Sequence, residues 1–125
     1  MTTDRLMPGQ RLNPSDGKHD ENTLRSPNNR FRLILQVEDG NLVIYDERYT
    51  IPGRPIWASG EGHNPGFAVM QEDGNFVVYD NANRPYFETS TFAINSLIVM
   101  QDDGNLVIYQ QQLSAKWASD TVQGP

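Results

Sequence analysis

The sequence predicts an all-β protein built from three copies of one strand-rich unit. Repetition is the first sign. "VEDGNLVIY" at 37–45, "QEDGNFVVY" at 71–79 and "QDDGNLVIY" at 101–109 are near-copies of one another. Residue type is the second. The runs "RLILQ", "NLVIYD", "FAVMQ", "NFVVYD", "LIVMQ" and "NLVIYQ" are rich in Val, Ile, Leu, Phe and Tyr, and Gly, Pro, Asn and Asp fill the gaps between them. The third sign is an absence: no window holds apolar residues at i, i+3, i+4 and i+7 over a helical length.

Spacing defines the repeat. Asp39, Asp73 and Asp103 lie 34 and 30 residues apart, while Trp57, Phe87 and Trp117 lie 30 apart each time. Arg54-Pro55 and Arg84-Pro85 also align. Four extra residues between Tyr45 and Trp57 account for the longer first interval. The repeats are expected at roughly 31–60, 67–90 and 97–120, within one domain covering 1–125. The first 30 residues differ. "NPSDGKHDENTLRSPNN" is polar and Pro-bearing, and an irregular loop is expected there, mobile at "DGKHDEN".

Composition narrows the function classes. A chain of 125 residues buries a real core without covalent staples. The chain has no cysteine, which removes disulfides and thiolate metal sites. A net charge of −6 argues against nucleic acid or an anionic membrane as partner. No apolar run approaches the roughly 18 residues of a membrane span. "MTTDRLMPGQ" has no apolar leader, so a protein that is cytoplasmic, or released without a cleaved leader, is expected. Asn13 is followed by Pro14, which leaves no glycosylation sequon.

The second and third hairpins can be read residue by residue. A three-residue loop commonly ends with a left-handed Gly, and Gly74 and Gly104 stand there. Gln71 then faces Asn75, and Gln101 faces Asn105. Alternation puts Gln71, Asn75, Val77 and Tyr79 on one face, with Asp73 at the turn beside them. Gln101, Asn105, Val107, Tyr109 and Asp103 repeat the set. The opposite face carries Ala68, Met70, Phe76 and Val78, then Ile98, Met100, Leu106 and Ile108, and must be core.

The first copy, "LILQVEDGNLVIY", has one residue more. A three-residue loop would set Val37 opposite Asn41, turn Leu33 and Leu35 outward and bring Arg32 in. A loop or bulge one residue longer keeps both leucines inside and returns Gln36 to the polar face. The longer loop is favoured. The first set (Gln36, Asp39, Asn41, Val43, Tyr45) is expected to be deformed in either register.

Amides donate and accept, carboxylates accept, and phenols do both, so such a face can pair with adjacent sugar hydroxyls. The Val methyls can cover the C–H side of a sugar ring. The face therefore reads as a shallow sugar site.

On these residues the sequence resembles the bulb-type, mannose-binding lectin family, whose signature is Gln-x-Asp-x-Asn-x-Val-x-Tyr. The signature is complete at 71–79 and 101–109, and partial at Asp39, Asn41, Val43 and Tyr45, with Gln36 displaced or Val37 in its place. The resemblance runs from about Leu6 to about Ser119. It implies a β-prism II fold, three four-stranded antiparallel sheets around a pseudo-three-fold axis, with Trp57, Phe87 and Trp117 near that axis. It implies a non-enzymatic protein that binds α-mannose or mannose-containing glycans without metal or other cofactor. Gln, Asp, Asn and Tyr would bond the hydroxyls, with Asp and Asn meeting at the axial 2-OH, and Val would pack on ring carbons. Sites two and three would be competent, and site one the weakest. Homodimers by exchange of the C-terminal strand would follow the family's habit. Gly74 and Gly104 replace a Cys common in plant members, which points to a bacterial or fungal one.

Other readings fit less of the pattern. "DDGN" lacks the spaced ligands and closing Glu of a calcium loop. The turn carboxylates Glu72 and Asp102 read as exposed, without the buried setting that the acid of a glycoside hydrolase needs. His19 and His63 have no nucleophile context and read as solvated. A lectin-like bacteriocin or toxin module, and a cytoplasmic adaptor with decayed sugar sites, are the remaining alternatives.

Overall fold

Three apolar hairpins form the frame of the molecule. In the computed structural model, residues 3–51, 53–111 and 114–124 are described. Among them the first hairpin pairs β4 (Phe31–Leu35) with β5 (Leu42–Asp46). The second pairs β7 (Pro65–Met70) with β8 (Phe76–Asp80), and the third β10 (Ser96–Met100) with β11 (Leu106–Gln110). A following strand, β6 (Arg54–Ala58), β9 (Pro85–Glu88) or β12 (Ser114–Ala118), extends each pair on one side.

The fourth strand of every sheet comes from the N-terminal 30 residues. β1 (Arg5–Leu6) joins β10, β2 (Arg11–Leu12) joins β7, and β3 (Thr23–Arg25) joins β4. The sheets are therefore β1-β10-β11-β12, β2-β7-β8-β9 and β3-β4-β5-β6, all antiparallel. This is the three-sheet prism that the resemblance implies. It also corrects the N-terminal expectation: "TLR" within the presumed loop is a strand. Each N-terminal strand gives one leucine to the core (Leu6, Leu12 or Leu24), all under 5% exposed. Short strands gain their stability from that packing and from pairing, not from their own propensity.

The inner faces meet as expected. Leu33, Leu35, Leu42 and Ile44 from the first sheet are fully buried with Ala68, Met70, Phe76 and Val78, and with Ile98, Met100, Leu106 and Ile108. Each large side chain among them contributes about 1.5–3 kcal/mol of transfer free energy. Trp57, Phe87 and Trp117 pack edge-on against one another, with centroids 5.5, 6.0 and 6.5 Å apart. Edge-to-face contact is the arrangement that aromatic quadrupoles favour. The three rings are partly buried and close the core where the sheets converge.

Internal symmetry extends to the irregularities. Each sheet shifts register just before the tyrosine, between Ile44 and Tyr45, Val78 and Tyr79, and Ile108 and Tyr109. Pro55 and Pro85 sit opposite Tyr45 and Tyr79 on edge strands, where a missing N–H costs the ladder nothing.

Candidate functional site

Every hairpin turns its polar residues away from the core, and the three outer faces carry the same bond chain. In the second, the Tyr79 hydroxyl donates to Gln71 Oε1. Gln71 Nε2 donates to Asp73 Oδ1 and Oδ2 at 3.2 and 3.3 Å. Asp73 Oδ1 also accepts the Asn75 backbone N–H at 2.9 Å. The third face repeats this: Tyr109 to Gln101, Gln101 to Asp103 at 3.1 Å, and Asn105 N–H to Asp103 at 3.0 Å. Gly74 and Gly104 close these turns at φ of 93° and 86°, left-handed as the loop length requires.

The first face carries the same chain, which corrects the expected deformation. Tyr45 donates to Gln36, Gln36 Nε2 reaches Asp39 at 3.1 and 3.2 Å, and Asn41 N–H reaches Asp39 at 3.0 Å. The turn is one residue longer: Gln36 and Asn41 pair through Gln36 N–H and Asn41 C=O at 2.9 Å. Leu33 and Leu35 stay inside, as the favoured register requires. The extra residue, Val37, is pushed into solvent at 50% exposure. Its N–H donates to Ser15 C=O at 3.1 Å, and Ser15 N–H donates to Leu35 C=O at 2.9 Å. The N-terminal loop thus braces the longer turn. Burial and the nearby Asp39 and Glu38 charges raise the Tyr45 pKa, so its hydroxyl keeps the proton that it donates.

The chain uses the glutamine oxygen and part of its amide, and leaves lone pairs on the phenol and carboxylate for a ligand. Val43, Val77 and Val107 form the floor at 2–3% exposure, each paired across the hairpin with Ile34, Val69 or Val99. Cavities of about 540, 500 and 420 Å³ include the Gln and Tyr of the first, second and third faces.

The walls differ, and the motif does not reveal how. Beside the tyrosine stand Arg32, Phe67 and Leu97 respectively. Buried Arg32 donates to Glu47 Oε2 and to the Gly17 carbonyl, both at 2.8 Å, and so ties the "DGKHDEN" segment down. The Arg11 guanidinium lies 3.9 Å from the Phe67 ring centroid, and Phe67 lies 5.3 Å from Tyr79. Tyr86, from the second sheet, donates to the Gly40 carbonyl in the first turn at 2.8 Å and stacks on His63 at 4.0 Å. Burial, then the Asp80 and Asp39 charges, push the Tyr86 phenol up to about 12.

The neighbouring strand sets the asparagine. Asn41 Oδ1 accepts Gly60 N–H at 2.8 Å, and Asn105 Oδ1 accepts Ser119 Oγ–H at 2.9 Å. With the oxygen held, their amide nitrogens donate to no protein acceptor among the described residues. Asn75 is different: its Nδ2 donates to Glu88 Oε1 at 3.1 Å, and it is only 5% exposed. Glu88 faces Val77 across the strands where Ala58 and Ala118 face Val43 and Val107. The triplets "WAS", "FET" and "WAS" carried this difference in the sequence. Among the described residues, no group of three or more His, Asp or Glu could hold a metal ion.

No family model matches the chain. It is 40% identical over 77 residues to a mannose-specific lectin of Dendrobium findlayanum, which is 60% of this chain and 38% of that protein. The match thus spans well under half of that curated relative's length. The structure superposes on the monomeric monocot mannose-binding lectins of Gastrodia elata with a TM-score of 0.77 and 33% identity, over 97% of this chain and 100% of that one. It superposes on the mannose-specific agglutinin of Galanthus nivalis, complexed with methyl-α-D-mannoside, with a TM-score of 0.67 and 34% identity, over 97% and 99%. With such identity spread over the full length of both solved lectins, and the same β-prism II fold, the chain belongs to the mannose-specific bulb-type lectin family.

Proposed function

We propose that the chain is one metal-independent lectin domain that binds α-D-mannose or mannose-containing glycans at its three outer faces. The observation that supports this reading is the Tyr–Gln–Asp–Asn bond chain, present on each face over a buried valine. A sugar ring offers neighbouring hydroxyls that both donate and accept. The face offers a carboxylate, a phenol oxygen and an amide whose positions are set before the ligand arrives, so less ordering entropy opposes binding. The valine floor adds a small apolar contact beneath the ring.

Shallow faces of this kind bind one sugar weakly, near millimolar, or about −4 kcal/mol. Useful avidity then comes from several faces engaging one glycan array through effective concentration. β12 is the edge strand of its sheet, the place from which a strand passes between copies, and light scattering would read a dimer formed that way.

Calorimetry with methyl α-mannoside tests the proposal. Weak, saturable heat is expected, lost when Asp39, Asp73 and Asp103 are all replaced by Ala. No heat at tens of millimolar ligand would end it. The family likeness and the repeated geometry give no support to the bacteriocin and adaptor alternatives over this reading.

A further inference from the structure

We propose that Glu88 is a positioning residue that sets the second face apart: by holding the Asn75 amide, it weakens mannose binding there relative to the first and third faces. The inference rests on the mannose reading above.

The three faces form an internal comparison. Their bond chains from tyrosine to asparagine backbone are alike, and within the motif the difference lies in the asparagine side chain. In the first and third faces a donor fixes the oxygen, Gly60 N–H or Ser119 Oγ–H, and the amide N–H groups are left for a ligand. In the second face the amide donates to Glu88 Oε1, while Thr89 Oγ–H supplies the oxygen at 3.3 Å. This orientation is chemically forced, because a carboxylate accepts and cannot pair with the amide oxygen. A hydroxyl that receives an N–H from Asn41 or Asn105 finds one of the two Asn75 N–H donors already used, and the nitrogen drawn toward Glu88. A charge-assisted bond to a carboxylate is also stronger than the sugar bond that would replace it. The second face is left rich in acceptors, with Asp73 and the remaining Glu88 oxygen, and with one donor fewer than its sisters.

The substitution is well suited to test. Glu88 is exposed on an edge strand, and its counterparts Ala58 and Ala118 stand in sister strands of the same fold. Single-face proteins isolate the effect: Asp39→Ala with Asp103→Ala leaves the second face, and Asp39→Ala with Asp73→Ala leaves the third.

Calorimetry with methyl α-mannoside is expected to give the third-face protein an affinity about three- to tenfold higher, the worth of one hydrogen bond. Adding Glu88→Ala to the second-face protein should close the gap. Glu88→Gln, whose carbonyl still accepts from Asn75 but without the charge, should close it only in part. Ala118→Glu in the third-face protein should weaken binding by a similar factor, with thermal melts checking the fold. Equal affinities, a gap that Glu88→Ala leaves unchanged, or a gap that Glu88→Gln closes in full would each overturn the proposal. If the third-face protein gives no heat, the mannose reading itself fails, and this inference with it.

Discussion

The second and third hairpins carry almost the same nine residues, "QEDGNFVVY" and "QDDGNLVIY", and fold into the same turn with the same bond chain. They part company at the next strand. Across from Val77 stands Glu88, and across from Val107 stands Ala118. One asparagine is buried and gives an amide N–H to a carboxylate, and the other keeps both. A repeated motif therefore fixes the frame of a site, while a strand outside the motif decides which groups remain for a ligand.

The largest expected effect tests how alike the turns are. A Cβ at Gly74 would lie 2.2 Å from the Ala93 carbonyl oxygen, while at Gly104 the tightest contact is Thr121 O at 2.8 Å. Both positions also carry left-handed strain. Gly74→Ala is expected to cost about 3 kcal/mol or more, and Gly104→Ala about 1–2 kcal/mol, by urea denaturation. Equal costs would mean that the loop before β10 yields as easily as the C-terminal tail.

Binding comes next. Asp103→Ala should remove more of the methyl α-mannoside heat than Asp73→Ala, because the second face is the one proposed to bind weakly. Ser119→Ala removes the closer of the two donors on Asn105 Oδ1, leaving Thr121 N–H at 3.3 Å, and should weaken the third face by about threefold, one modest hydrogen bond, without touching the second.

The smallest effect is electrostatic and compares the first two copies. The Arg30 guanidinium holds the Asp46 carboxyl below the usual range. A depressed carboxylate stabilises the fold above its unfolded pKa of about 4, and that contribution fades as pH falls through the lower folded value. Arg30→Met should lower Tm slightly at pH 7 and not at pH 2. Exposed Arg84, beside Asp80, should show less.

Much of this was legible in the sequence, because hairpins announce themselves locally. Gly74 and Gly104 set the turn length. That length set Gln71 and Gln101 opposite Asn75 and Asn105, and alternation then separated core from face. Spacing aligned Trp57, Phe87 and Trp117, and the family resemblance set them near the axis. β1, β2 and β3 were not legible: two or three residues hold no period, and only tertiary pairing makes "RL" or "TLR" a strand. The intact first face was also hidden. Its extra residue looked like damage, and the bracing by Ser15 comes from a segment that reads as loop. Glu88 was visible as an odd letter in a repeated triplet, but its meaning needed the register of β9 on β8.

A two-dimensional NMR titration of the side-chain amides with methyl α-mannoside tests the whole scheme in one sample. Asn41 and Asn105 report the first and third faces, and Asn75 the second. The Asn41 and Asn105 amides are expected to shift together at lower sugar concentration, and Asn75 only at several-fold higher concentration. Three amides moving in parallel, Asn75 moving first, or none moving at all would contradict it.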